Sequence, residues 1–190
     1  MKSDIHNTIT IQRLNTYELV LSALFAGLIA VCSWISVPAE IPFTMQTFAV
    51  FLTIGLLGGR CGTRAVITYL LLGACGMPVF AGFTGGVGRL LGPTGGYIIG
   101  FLFSALVMWG METLIGRSIA FLSVAMMIGL MICYAFGTIW FVTVYNRQVE
   151  SVSLISALNM CVIPFIVPDS IKIILALGLT QRLSPLTRNI

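Results

Sequence analysis

Ile119-Ala-Phe-Leu-Ser-Val-Ala-Met-Met-Ile-Gly-Leu-Met-Ile-Cys-Tyr-Ala-Phe-Gly-Thr-Ile-Trp-Phe-Val-Thr-Val-Tyr145 runs for 27 residues without one charged side chain. Its apolar residues do not alternate with polar ones, as a lipid-facing β-strand would require. A helix that crosses hydrocarbon needs about 20 such residues, so this stretch is long enough to cross with tilt. Its reading decides the fold, because the rest of the chain has the same character. Of 190 residues, 58% are hydrophobic and 8% charged, and the mean hydropathy is +1.04. Soluble domains carry roughly 25% charged residues. A chain this poor in charge cannot cover its own surface in water, so lipid is its main solvent.

Working outward, five further apolar stretches appear. The first runs from about Leu19 to Pro38, between Glu18 and Glu40. The second starts after Pro42 and stops near Gly58, Gly59 and Arg60, and the third runs from about Ala65 to Phe80. The fourth covers Tyr97 to Leu114, and the last, Val152 to Leu179, is interrupted by Pro164 and Pro168. Six crossings use roughly 120 residues. The expected architecture is therefore an all-α bundle of six transmembrane helices in one domain over residues 1–190, with a bundle at about 18–182. A polar segment over residues 1–17 precedes it, with no sign of a cleaved signal peptide, and a short tail follows at 183–190.

Lys and Arg placement orients the bundle. With six crossings, one side collects Lys2, Arg13, Arg60, Arg64, Arg117, Arg182 and Arg188, while the other holds Arg89 and Arg147. Both termini are expected in the cytoplasm. The net charge of +4 is then a topology signal, not a footprint for nucleic acid. Cys32, Cys61, Cys75, Cys133 and Cys161 are scattered without C-x-x-C spacing, and the one histidine is His6. The expectation is no metal or redox centre, with the thiols packing as small hydrophobes.

Two features are costly at membrane depth. An ionisable residue there costs about 2.5–3.5 kcal/mol on insertion scales. Asp169 and Lys172 share a helix face, three residues apart. Counting from Arg182 at about 1.5 Å per residue places them roughly 20 Å into the bilayer. They fit either an internal ion pair or a polar recognition site. Pro168 disfavours helical geometry at Val167, so a helix break is expected just before Asp169. The second feature is the segment Ala81–Gly96, with seven glycines in sixteen residues and one arginine, Arg89. Between the third and fourth helices, on the outer side, it is expected to re-enter the bundle and offer N–H groups, at Gly85 and Gly86 among others, to an anion. It lacks the G-x-x-x-x-G-K-[ST] pattern, so ATP is not hydrolysed at a Walker site in this chain. Ser22, Ala26 and Ala30 form a small-residue face on the first helix, suited to packing within the chain or to docking a partner. Glu112 and Arg117 read as interfacial charges. Trp34, Trp109 and Trp140 read as belt or core aromatics, with Trp140 able to reach a cavity.

Four segments resemble the signatures of the BioY family of biotin transporters. Ile41-Pro-Phe-Thr-Met-Gln-Thr47 is similar to its V/I-P-F-T-x-Q-T, and Gly76-Met-Pro-Val-Phe-Ala-Gly82 to its G-x-P-V-F-A-G. Leu91-Gly-Pro-Thr-Gly-Gly-Tyr97 is similar to its L-G-P-T-G-G-Y, and Pro164-Phe165 with Asp169 and Lys172 to its P-F…D-x-x-K. This chain has Pro168 where that family often has glycine. The resemblance implies a substrate-binding S-component of an energy-coupling factor (ECF) transporter, partnered by a transmembrane T-component and two ATPases. ATP would be bound only by those ATPases, and no cofactor is implied. The Ser22, Ala26 and Ala30 face is similar to the surface by which S-components dock on the T-component.

The chemistry of biotin suits the costly residues. Its ureido ring offers two N–H donors and one carbonyl acceptor, to which Asp169 and Lys172 are complementary, with charge assistance. Its carboxylate suits Arg89 and the glycine-rich N–H groups. Gln46 adds a neutral hydrogen bond, and Phe43, Tyr97 or Trp140 can cover the apolar ring. Competing expectations are an S-component for another vitamin, an intramembrane enzyme, for which no acid–base dyad is evident, and a structural membrane protein without a ligand.

Overall fold

The computed structural model describes residues 16–37, 42–148 and 152–187. In hydrocarbon the backbone must satisfy its own polar groups, and a continuous apolar chain does so as helices. The elements are α1 (Thr16–Trp34), β1 (Ser36–Val37), β2 (Phe43–Thr44), α2 (Gln46–Ala74), a 3-10 turn (Ala81–Phe83), α3 (Val87–Leu91), α4 (Gly95–Ile115), α5 (Ile119–Gln148), α6 (Leu154–Cys161) and α7 (Ile163–Thr187). Among the described residues, five helices (α1, α2, α4, α5 and α7) are long and apolar enough to cross a membrane. Large aliphatic side chains project outward from the bundle, among them Leu24, Leu114 and Ile174. The chain is a helical membrane protein. Lys2, His6, Arg13, Pro38, Glu40, Ile41 and Arg188 lie outside the described residues.

The second and third apolar stretches form one element, α2, folded sharply within itself. Gly58 has φ 80° and ψ 168°, which is not helical. Gln46 Nε2 donates to the Tyr69 hydroxyl at 3.0 Å. On a straight helix those residues would stand about 35 Å apart. A methyl group on Gly62 would sit 2.7 Å from the Ile54 Cα atom. The two arms of α2 therefore run antiparallel and touch. The reversal falls at Gly58, two residues before the turn expected around Arg60 and Arg64, which with Cys61 belong to the second arm.

Glu112 and Arg117, read from the sequence as interfacial charges, hold that reversal. Arg117 donates to the Gly55 and Leu56 carbonyls, the latter at 2.9 Å. Glu112 accepts from the Gly59 N–H, and its other oxygen lies 3.8 Å from Arg117 Nε. A cation thus caps the C-terminal end of the first arm and an anion the N-terminal end of the second. Both signs suit the helix dipole, and both satisfy groups that a helix end leaves unpaired.

Elsewhere small residues set the packing. Ser104 Oγ donates to the Gly129 carbonyl at 2.6 Å, and Gly100 lies against Cys133, so α4 and α5 approach closely. Ser22, Ala26 and Ala30 are buried, at 3%, 0% and 5% exposure, on the face of α1 that packs against α2. The docking role expected for them is corrected: their spacing serves close packing inside the chain.

The last stretch is also rearranged. Ser153 caps α6, accepting from the Ser156 N–H at 3.2 Å. The break falls at Val162 (φ −120°, ψ −55°), and α7 then runs through both Pro164 and Pro168. The break expected just before Asp169 is absent. Pro164 sits in the first turn of α7, where its missing N–H removes no helical bond; the chain uses that proline to start the helix.

The Gly58 geometry generates a stability prediction. Gly58→Ala places a side chain in a backbone region essentially reserved for glycine, where strain costs about 1–3 kcal/mol. The added methyl would also crowd Glu112 at 3.1 Å. A lowered unfolding temperature in detergent is the expected outcome, and an unchanged one would remove Gly58 from this role.

Candidate functional site

Asp169 lies two turns into α7, and Lys172 one turn further on the same face. Both are 3% exposed. Lys172 Nζ donates to Asp169 Oδ1 at 2.7 Å and to the Thr44 carbonyl at 2.7 Å, and it stands 3.9 Å from the centre of the Phe43 ring. A desolvated ammonium needs this kind of company. Phe43 in turn stacks on Phe165, with centroids 6.2 Å apart. The second carboxylate oxygen, Oδ2, accepts from the Tyr134 hydroxyl of α5 at 2.6 Å.

The pair lines a cavity between the N-terminal end of α2, the start of α4, the middle of α5 and the first turns of α7. Its empty space, with the open mouth included, is about 700 Å³. Gln46, Thr47, Tyr97, Phe101 and Leu130 contribute to its wall, and the Cys133 and Cys161 side chains also reach it. The wall is mostly apolar with a few polar groups, a pattern that orients a ligand while excluding water.

Arg89 closes the cavity from α3. Its Nε is buried and has no hydrogen-bond partner among the described residues. The glycine-rich segment that carries it is pinned along its length. Trp34 Nε1 donates to the Pro78 carbonyl at 2.8 Å, and its ring lies on Phe83. Gly86 N–H donates to the Gly73 carbonyl at 2.7 Å, and Trp140 Nε1 to the Gly92 carbonyl at 3.1 Å. Phe80 is fully buried, edge-on to Tyr69. The segment is a fitted wall.

Of the residues singled out in the sequence, Asp169, Lys172, Arg89, Gln46 and Tyr97 line this one cavity. The Tyr97 hydroxyl is 3.1 Å from Thr138 Oγ1, which leaves its ring as the surface beside the space. Phe43 supports Lys172. Gly85, Gly86 and Trp140 do not line the cavity: Gly85 packs against the Met77 carbonyl, and the other two hold the segment in place. Sequence reasoning missed Tyr134 and the Thr44 carbonyl. The only hint of Tyr134 was a phenol inside a long apolar run, whose hydroxyl needs a partner when buried.

A helical membrane bundle with a cavity that bears a carboxylate, an ammonium and a guanidinium in a mostly apolar wall defines a membrane protein that binds a small polar solute. Comparison with known proteins names the kind. The chain belongs to the BioY family, whose model matches residues 5–189. It is 42% identical to the biotin transporter BioY of Thermotoga maritima over 170 residues, 89% of this chain and 96% of that one. It is 38% identical to the probable biotin transporter BioY of Pyrococcus horikoshii, over 87% of this chain and 95% of that one. Among solved structures, it resembles the S-component for biotin from an ECF-type ABC transporter, with a TM-score of 0.78, 27% identity and coverage of 88% and 90% of the two chains.

The ion pair also makes a prediction. Lys172→Met leaves Asp169 a buried charge without its counterion, a loss of about 3–5 kcal/mol. The double variant Asp169→Leu/Lys172→Met removes both charges and should recover most of that stability. Thermal unfolding of the three proteins in one detergent checks this; a double variant no more stable than Lys172→Met would contradict it.

Proposed function

We propose that this chain captures biotin at the cell membrane as the substrate-binding S-component of an ECF-type transporter, leaving the ligand chemically unchanged. The observation that carries the reading is one cavity, in a BioY-family chain, holding both the buried Asp169–Lys172 pair and an Arg89 guanidinium with an unpaired buried Nε. Asp169 keeps acceptor capacity beyond Tyr134 and Lys172, which suits the ureido N–H groups. The ureido carbonyl takes a donor from Lys172 or Gln46, and the carboxylate takes Arg89. The Tyr97 ring covers the apolar part of the ligand.

In this reading the two arms of α2 cross separately, giving six crossings with α1, α4, α5 and α7. The first arm, residues 46–57, spans only about 18 Å, so its N-terminal end lies below the surface and forms the floor of the cavity. Half-helix ends at depth are a recurrent way to build transporter sites. Both termini face the cytoplasm, and residues 81–96 face outward. The whole chain is one transmembrane domain, with ATP-driven energy from a T-component and two ATPases. No cofactor takes part.

Titration calorimetry in detergent tests the assignment. Asp169→Asn and Lys172→Ala should each weaken biotin by about 10- to 150-fold, the range for a hydrogen bond to a charged group. Wild-type affinity in both would refute the ureido assignment. Arg89→Ala should weaken biotin more than biotinamide, which lacks the carboxylate, and equal losses would take Arg89 out of that role. Reporter fusions at the two ends test the topology: six crossings place both reporters on the cytoplasmic side, five place them on opposite sides.

A further inference from the structure

Asp169 is gripped at both oxygens, and the two grips differ in origin. Lys172 holds Oδ1 from one turn along the same helix. Tyr134 holds Oδ2 from α5, 35 residues earlier in the chain. A carboxylate held on one side still turns about its last bond, a broad torsion. Held on both sides, its plane is fixed. An ionised carboxylate has about four acceptor positions, so each oxygen keeps one beyond these grips, and Asp169 lies in the wall of the cavity. The two N–H bonds of a cyclic urea flank its carbonyl and point apart, so a single carboxylate in the wall meets one of them in good geometry. Apolar contact alone does not hold α5 at this distance from α7, because α5 packs chiefly on α4 and only lightly on α7.

Resting on the biotin reading, we propose that Tyr134 is the positioning residue of the site: its hydroxyl fixes the Asp169 plane so that the carboxylate is aimed at one ureido N–H group. Tyr134→Phe removes the oxygen alone and keeps the ring. Titration calorimetry, corrected for the folded fraction, should show affinity falling about tenfold, the lower end for a hydrogen bond to a charge. Biotin and biotinamide should lose equally, since they share the ureido end. Ligands methylated at one or the other ureido nitrogen supply a readout that general loosening of the fold does not mimic. On the unsubstituted chain the two methylations should cost unequally, the larger loss marking the N–H that faces Asp169, and in Tyr134→Phe that difference should shrink.

A Tyr134→Phe protein with a lower unfolding temperature but unchanged affinity would make Tyr134 a packing residue and overturn the proposal. Equal penalties at the two ureido nitrogens of the unsubstituted chain would overturn it too, and that measurement does not depend on the variant folding. An unsubstituted chain that fails to bind biotin would refute the biotin reading itself, whereas one that binds it while Tyr134→Phe loses nothing refutes the positioning role alone.

Discussion

A carboxylate and an ammonium enclosed in an apolar bundle set the terms for everything around them. Neither is tolerable there alone, and pairing them still leaves donors and acceptors to satisfy. Asp169 and Lys172 therefore recruit partners from distant parts of the chain: the Thr44 carbonyl, the Phe43 ring and the Tyr134 hydroxyl. These contacts tie β2, α5 and α7 together around one space. The pair makes a poor investment for stability alone, since apolar residues of similar size do as well or better. What an ion pair offers, and apolar side chains do not, is spare hydrogen-bonding capacity in a dry wall.

Much of this was legible in the residues, and the misses share a cause. Scarcity of charge established the membrane bundle, because composition alone decides whether a surface can face water. Asp169, Lys172 and Arg89 stood out because charge at depth is costly wherever the chain folds. What could not be read were pairings between distant segments. The spacing of Ser22, Ala26 and Ala30 showed a close-packing face but not which neighbour it meets, and that neighbour is α2. Glu112 and Arg117 were visible as charges, while their targets at Gly55, Leu56 and Gly59 lie more than fifty residues away. Pro168 was misread for a local reason: the helix had already restarted at Ile163, so the break its predecessor proline favours lay earlier.

The glycine-rich segment shows how composition misleads when taken one residue at a time. Glycine lowers the cost of unusual backbone angles, and such a stretch in water would be mobile. Here aromatic side chains intervene. Trp34 stacks on its Phe83 and donates to the Pro78 carbonyl just before it, Trp140 donates to its Gly92 carbonyl, and the preceding Phe80 is sunk against Tyr69. The glycines allow the chain to come close, and the aromatics hold it there. Arg89 is thereby carried on a short helix, α3, whose position is set by its surroundings.

The reversal at Gly58 bears on how the protein enters the bilayer during synthesis. One residue turns the chain, so no linker exists to be paid out between the arms. The first arm is short for a crossing, and its last carbonyls and the next arm's first N–H group meet their partners only when Glu112 of α4 and Arg117 of the turn after it arrive. In the six-crossing reading the arms therefore partition into lipid together, as a helical hairpin. Until α4 emerges from the ribosome, the tip of that hairpin has to remain at the interface, where water can satisfy it.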